Sequence, residues 1–351
     1  MVRHASIKGR PARGRVVLLL RKALCTVVFL GAIVLYWDGG SYDIPAYYQY
    51  VYDGSASATT SGTSTSSASK APIDQPAYIC SAAQSIGSMS FFNHTDCPAQ
   101  GRRSIVIPNE GFIFSSRYFT SIYETRVRDV FEKVLSRESS ERLQRGVVLD
   151  IGGNSGWYTA YAAVCFGVHV HVFEPQEGCL DIMCPLVAHN DIQSLVTIHH
   201  NIVAQDPKAI SIVQDCDPGF SPDHHLLEPD GPDRKAQVAS IRAVDVVQSD
   251  QPVLMIKIDT EGTEMGVLSS IEPLLRDGRA TNVVVEIKLK LWESDGHAEE
   301  NIKEFRRLVY ENGFKVYSLE KRVYVESENF ENWLKTVGAN ADNNFWLQKD
   351  I

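Results

Sequence analysis

Apolar residues in the second half of the chain fall in short runs separated by longer helical patterns. Val147-Val148-Leu149 opens with no polar alternation, as a strand buried on both faces does. The run breaks at Gly152-Gly153-Asn154-Ser155-Gly156, and a helical pattern resumes through Tyr158, Tyr161, Ala162 and Cys165. Strands are predicted over Val147–Ile151, Val168–Phe173, Leu195–His200, Val253–Asp259, Val283–Ile287, Phe314–Ser318 and Asn344–Gln348. Helices are predicted over Glu177–Asn190, Gly262–Leu275, Ala298–Asn312 and Phe330–Val337. An insertion, Ala209–Ile241, separates the third and fourth strands; it has two β-runs joined by a proline-rich acidic loop. This alternation predicts an α/β sandwich with a mostly parallel seven-stranded sheet, over residues 141–351. Residues 79–140 read as a cap segment. Within it Phe112–Leu135 carries Tyr118, Ile122, Val127, Val130 and Phe131 at helical spacing. Its last turns read as packing, while Tyr118–Glu124 stays open between packing and a lid.

The first third of the chain follows other rules. Residues 1–37 contain no acidic residue, and 1–15 form a basic tail. Ala23–Trp37 alone is short of the roughly 20 residues a spanning helix needs. Starting at Val16 gives sufficient length if Arg21 and Lys22 reach towards the headgroups. Residues 16–37 therefore read as an uncleaved signal-anchor, with Tyr36 and Trp37 at an interface and the C-terminal part luminal. An organellar transit peptide is the competing reading. Residues 38–78 form a stalk whose Gly54–Lys70 portion is almost wholly Ser, Thr, Ala and Gly. Asn93-His94-Thr95 is a glycosylation sequon if that segment is luminal, and otherwise a chance tripeptide.

Composition narrows the partners. The chain has 351 residues, 44 % hydrophobic, with a formal charge of −9. No basic stripe lies outside the N-terminus, so no nucleic-acid partner is expected. The seven cysteines do not make a zinc pattern. Cys165, Cys179 and Cys184 read as buried inert thiols on helices. Cys80 and Cys97 are candidates for pairing in an oxidising compartment. His224-His225 reads as part of a solvated loop.

Strand, glycine turn and helix together begin a nucleotide site. Gly152 and Gly156 are placed for close approach of a ligand to the backbone, and helix-start amides favour its anionic end. The turn fails the dinucleotide spacing because Trp157 stands where the last glycine belongs. Glu174 ends the second predicted strand at the distance where a carboxylate binds a ribose diol. Lys257 and Asp259 share one face of the fourth strand, with Glu261 beyond its C-terminal end. Glu286 is embedded in the apolar fifth strand and needs a partner, for which Lys257 is the expected candidate. That pair reads either as structural or as part of an acceptor-activating cluster. The carboxylates are of a type that holds a divalent ion, but nothing in the sequence requires a metal.

Asp150-Ile151-Gly152-Gly153-Asn154-Ser155-Gly156 resembles motif I of class I S-adenosylmethionine (SAM) methyltransferases. More closely, it resembles the FkbM family's Asp-x-Gly-Ala-Asn-x-Gly, with Gly153 in place of alanine. Lys257-Ile258-Asp259-Thr260-Glu261-Gly262-Thr263-Glu264 is similar to that family's Lys-Ile-Asp-x-Glu-Gly-x-Glu signature. The resemblance covers roughly Ile105 to Leu347. It implies a Rossmann-like fold, with SAM held by Asp150, Gly152, Asn154, Gly156, Glu174 and, by position, Asn201. It further implies methyl transfer, with Asp259 as the candidate base and Lys257, Glu286 and Glu261 around it. The expected reaction is O-methylation of a hydroxyl on a glycan, glycoconjugate or small molecule, in the Golgi or ER lumen. The alternative is a degenerate SAM-fold binding protein at a membrane. A dehydrogenase is disfavoured by the failed dinucleotide spacing.

Overall fold

The structure is a computed structural model that describes residues 78, 80, 91–94, 97, 105–108, 125–214, 216, 235–337 and 343–350. In chain order the elements begin with β1 (Phe91–His94), β2 (Ile105–Pro108), α1 (Thr125–Leu135) and α2 (Ser140–Arg145). The nucleotide-type unit follows as β3 (Val147–Ile151), α3 (Trp157–Phe166), β4 (His169–Phe173), α4 (Glu177–His189) and β5 (Val196–His199). Then come β6 (Ile202–Val203), β7 (Ala209–Val213), β8 (Lys235–Ile241), β9 (Val253–Ile258), α5 (Glu264–Ser270), α6 (Glu272–Arg276) and β10 (Asn282–Ile287). The chain ends through α7 (Leu289–Ser294), α8 (Ala298–Phe305), β11 (Lys315–Ser318), β12 (Val323–Val325), α9 (Phe330–Val337) and β13 (Asn343–Gln348).

The main sheet has eight strands in the order β12-β11-β13-β10-β9-β3-β4-β5. It is mixed, with four of its seven ladders parallel, and eight strands replace the seven expected. The ladders from β10 through β5 are parallel, while β13 runs antiparallel to both β10 and β11. The extra strand β12 folds back on β11 as a hairpin through Arg322, whose φ is 59°. A second sheet, ordered β6-β8-β7, holds the insertion. The predicted helix over Gly262–Leu275 is two helices meeting at Ile271. Pro273 starts the second, where its missing N–H costs nothing.

Alternation along β3 builds both halves of the core. Val147, Leu149 and Ile151 pack on the side covered by α5, α6, α8 and α9. Val148 packs on the other side, against α1, α3 and α4. A strand buried throughout carries no polar alternation, which is why its sequence reads as a continuous apolar run. On the first side Phe305 stacks on Phe330 with ring centroids 4.3 Å apart.

Three disulfides correct the reading of the cysteines. Cys80 bonds Cys184, Cys97 bonds Cys165 and Cys179 bonds Cys216. Cys80 and Cys97 thus do not pair with each other, and the helical cysteines are not thiols. The first two bonds tie the segment ahead of the core to α4 and α3.

Among the described residues no helix is long and apolar enough to cross a membrane. The anchor at 16–37, the serine-rich stretch 54–70, Tyr118–Glu124 and His224-His225 lie outside the described residues. The sequon is described only in part: Asn93 and His94 lie in β1, and Thr95 falls outside.

Candidate active site

The first functional cluster forms where β3 and β4 end. Asp150 is buried, and its Oδ2 accepts a hydrogen bond from Thr159 Oγ1 at 2.7 Å. Its Oδ1 is fully buried and has no hydrogen-bond partner among the described residues. Burial raises the Asp150 carboxyl above its ordinary range, against the opposing pull of Lys257 and the Thr159 hydroxyl. A buried acceptor left open in this way fits a ligand's ammonium group.

Gly152 and Gly156 are required by protein neighbours, which refines the sequence reading. A Cβ on Gly152 would lie 1.8 Å from the Asp259 carbonyl oxygen, so β3's turn touches the end of β9. Gly156 has φ 87° and would meet Met183 at 2.8 Å. Asn154 adopts φ 48°, uncommon for a side chain but tolerated by asparagine. Its amide donates to Glu174 Oε2 at 2.8 Å, and its own Oδ1 accepts from the Ser155 amide at 2.7 Å.

Glu174 is buried directly after β4. Its second oxygen, Oε1, accepts from the Gln176 amide at 2.8 Å. Each oxygen of a carboxylate offers two lone pairs, so both retain capacity for a ligand hydroxyl. Burial pushes this carboxyl up to about 7, opposed by the Gln176 and Asn154 amides.

Asn201 is buried after β5, and its Nδ2 donates to the Ala239 carbonyl of β8 at 3.0 Å. The asparagine therefore ties the main sheet to the insertion. His199 stacks on Phe173 at 4.6 Å, and its Nε2 lies 2.9 Å from His171 Nδ1. His200 Nε2 lies 3.0 Å from the Pro175 carbonyl oxygen. These histidines pack against one another and against the strand ends.

The second cluster lies beside the first, where β9 and β10 end. Lys257 Nζ is 3.1 Å from Asp259 Oδ2 and 5.2 Å from the centroid of the Tyr158 ring. The parallel register sets Lys257 opposite Val284. Glu286 lies within hydrogen-bonding contact of Asp259, and its Oε2 is 3.5 Å from Lys288 Nζ. Two ion pairs result, Lys257 with Asp259 and Lys288 with Glu286. Lys288 also grips both Glu261 oxygens, at 2.6 and 2.5 Å.

Burial pushes the Asp259 carboxyl up. Lys257, the hydrogen bond from Glu286 and Lys288 outweigh it and hold the group at about 2. Asp259 is therefore ionised throughout the physiological range. Asp259, Glu261 and Glu286 each offer an oxygen, all within 4.8 Å of one another, so this trio is where a cation could sit. The two lysines already supply positive charge there.

Glu264 is buried and holds the turn between these groups. It accepts from the Gly262 amide at 2.7 Å and from Trp292 Nε1 at 2.9 Å. The sequence placed it only at the end of the FkbM-like signature. The sequence reading missed Lys288, although Glu286-x-Lys288 mirrors Lys257-x-Asp259 at a spacing of two. Nothing in the sequence pointed to Thr159 or Trp292.

A buried acid ending the first strand, a glycine turn, and a second acid ending the next strand make the cofactor half of a Rossmann-like methyltransferase. Residues 150–316 match the family model described as "Methyltransferase FkbM domain". By that match the chain is a SAM-dependent methyltransferase, with SAM as its cofactor.

Among solved structures, precorrin-6y C5,15-methyltransferase from Geobacter metallireducens GS-15 is similar at 13 % identity. That match covers 65 % of this chain and 90 % of that one, with a TM-score of 0.32. A putative rRNA-methylase from Clostridium thermocellum gives 14 %, 64 %, 96 % and 0.37 for the same four quantities. The N-terminal domain of human METTL16 in complex with SAH gives 13 %, 64 %, 69 % and 0.30. No curated protein matches the chain in sequence.

Proposed function

We propose that the enzyme O-methylates a hydroxyl on a glycan, glycoconjugate or small molecule. One observation carries the reading. The glycine turn abuts the Asp259 carbonyl, so the cofactor residues and a largely buried acidic cluster share one rim of the sheet. Open α/β sheets bind ligands at that rim.

SAM, when bound, supplies a methyl group on a sulfonium, and its transfer to a hydroxyl leaves a neutral thioether and releases one proton. Asp150 Oδ1 fits the ammonium end of the cofactor, and Glu174 fits the ribose diol. Asp259, kept ionised by Lys257 and Lys288, accepts the acceptor hydroxyl's hydrogen bond and aims its oxygen. The released proton passes to Asp259 and leaves through Glu261, the most exposed carboxylate of the cluster. A carboxylate held this low is a weak base, so alignment contributes more than proton abstraction.

The domain is proposed to work in the ER or Golgi lumen, anchored through residues 16–37 as a type II protein. The three disulfides favour an oxidising compartment. The transit-peptide alternative puts the enzyme in an organelle instead.

The test is untargeted mass spectrometry of glycans and small molecules incubated with SAM, with and without the purified enzyme. Species heavier by CH₂ on oxygen support the reading. Methylation confined to nitrogen overturns it, and so does SAM binding without any methylated product.

A further inference from the structure

The insertion meets the cofactor turn through a closed circuit of contacts. Starting at Asn154, the amide donates to Glu174 Oε2, and Glu174 Oε1 accepts the Gln176 amide. The next two amides, those of Glu177 and Gly178, donate to Gln214 Oε1 at 3.2 Å and to the Gln214 carbonyl at 2.8 Å. Gln214 directly follows β7 and is only 2 % exposed. Two residues on, Cys216 is bonded to Cys179 in the first turn of α4. Its Sγ lies 3.9 Å from Asn154 Oδ1, which closes the circuit.

A helix start leaves amides without acceptors. At α4 the N-cap Gln176 makes no side-chain cap bond, and the insertion supplies acceptors instead. The segment that carries Glu174 is thereby fixed from outside the βαβ unit. On one side it is held by the Asn154 amide. On the other it is held by α4, which Gln214 caps and the disulfide clamps.

We infer that Gln214 and the Cys179–Cys216 disulfide are positioning residues for the cofactor, holding Asn154 and Glu174 in binding geometry. The inference rests on reading Glu174 as the ribose ligand. It gives the insertion a part in cofactor binding, where its sequence shows only an acidic, proline-rich excursion.

The experiment is calorimetric titration of the oxidised full chain with S-adenosylhomocysteine, well below each variant's melting temperature. Cys179→Ala/Cys216→Ala and Gln214→Ala are compared with wild type and with Cys97→Ala/Cys165→Ala. The control removes a disulfide at the far end of α3 from the glycine turn. The two circuit variants should lose roughly tenfold or more in affinity, the scale of a displaced binding group. The control should lower the melting temperature and leave Kd unchanged. A wild type that binds, with both circuit variants binding equally well, overturns the inference and leaves the cofactor reading intact. A wild type that does not bind overturns the assignment of Glu174 and this inference with it. If the cysteine variant fails to fold, Gln214→Ala decides alone, since the disulfide remains in place.

Discussion

Glu174 and Asp259 are carboxylates set in opposite directions by their surroundings, and each direction has a measurable consequence. Glu174 is pushed up to about 7 by burial. Binding two hydroxyls needs its ionised form, so affinity for S-adenosylhomocysteine should rise from pH 6 to pH 8. Glu174→Gln should flatten that slope and cost about 1.5–3 kcal/mol of affinity, as for a hydrogen bond to a charged group. Calorimetry at three pH values checks both. Stability of the unliganded protein has the opposite sign. The folded state holds this proton more tightly than the unfolded chain, so the group's contribution falls as pH rises from 4.5 towards 7. Asp259 titrates far below this window. Asp259→Asn should lower kcat by about 10²-fold, the lower end for a proton-accepting group, and leave SAM affinity within a few-fold. Equal turnover would remove it from the chemistry. Asp150, Glu174 and Asp259 were legible because each is an acid at the end of a recognisable strand. Their partners were not. In a parallel ladder the register across strands is not written in either strand, so Lys288, which pairs with both Glu261 and Glu286, was missed.

At the scale of elements, the alternation along β4 and β5 places His169, His171, Thr197 and His199 on one face. His169 Nε2 is 2.9 Å from Thr197 Oγ1, and His171 stacks on His199 with centroids 5.2 Å apart. Burial, reinforced by neighbouring histidines, lowers His171 to about 3 and His199 to about 4. Both stay neutral in the fold but charge in the unfolded chain once pH drops below about 6.5. Stability contributed by the pair is therefore full above pH 6.5 and is lost as pH falls towards 4. His171→Leu should shrink the loss of unfolding free energy between pH 6.5 and 4.5, read by denaturant titration, by on the order of 1 kcal/mol per pH unit. The raised carboxylates titrate equally in variant and wild type, so the comparison isolates the histidine; equal slopes would show that it does not titrate in this range. The seven strands of the sequence reading all appear in the main sheet, because a strand buried on both faces has an apolar run that needs no context. β12 escaped because three residues, Val323, Tyr324 and Val325, are too short a run to signal a strand. The direction of β13 escaped because antiparallel return is a property of the connection through α9, not of the strand's residues.

Across the whole molecule, the disulfides decide what the N-terminal segment does. The Tyr78 amide donates to the Ile198 carbonyl at 2.8 Å, and the backbone of Val106 exchanges two hydrogen bonds of 2.8 Å with the Asn190 side chain at the end of α4. Ile105 and Ile107 are buried in the same cluster as α3 and α4. Cys80–Cys184 and Cys97–Cys165 add covalent ties across 104 and 68 residues. Closing loops of that size is worth typically about 2–4 kcal/mol each, by restricting the unfolded chain. These ties were invisible in the sequence because the helical cysteines lie at apolar positions, where a thiol packs equally well. The expected result is a cap that stays docked only while oxidised. Reduction under native conditions should lower the melting temperature by several degrees and expose 79–140 to limited proteolysis, with the sheet residues from 147 onward still resistant. Intact-mass analysis of the oxidised, denatured chain after thiol alkylation should find no more than one modified cysteine, because six of the seven are bonded. Three or more alkylated cysteines in protein taken from its own compartment would mean a reducing environment. That result would remove the luminal placement and leave the cap to be held by noncovalent contacts, among them those of Ile105, Ile107, Asn190 and α1.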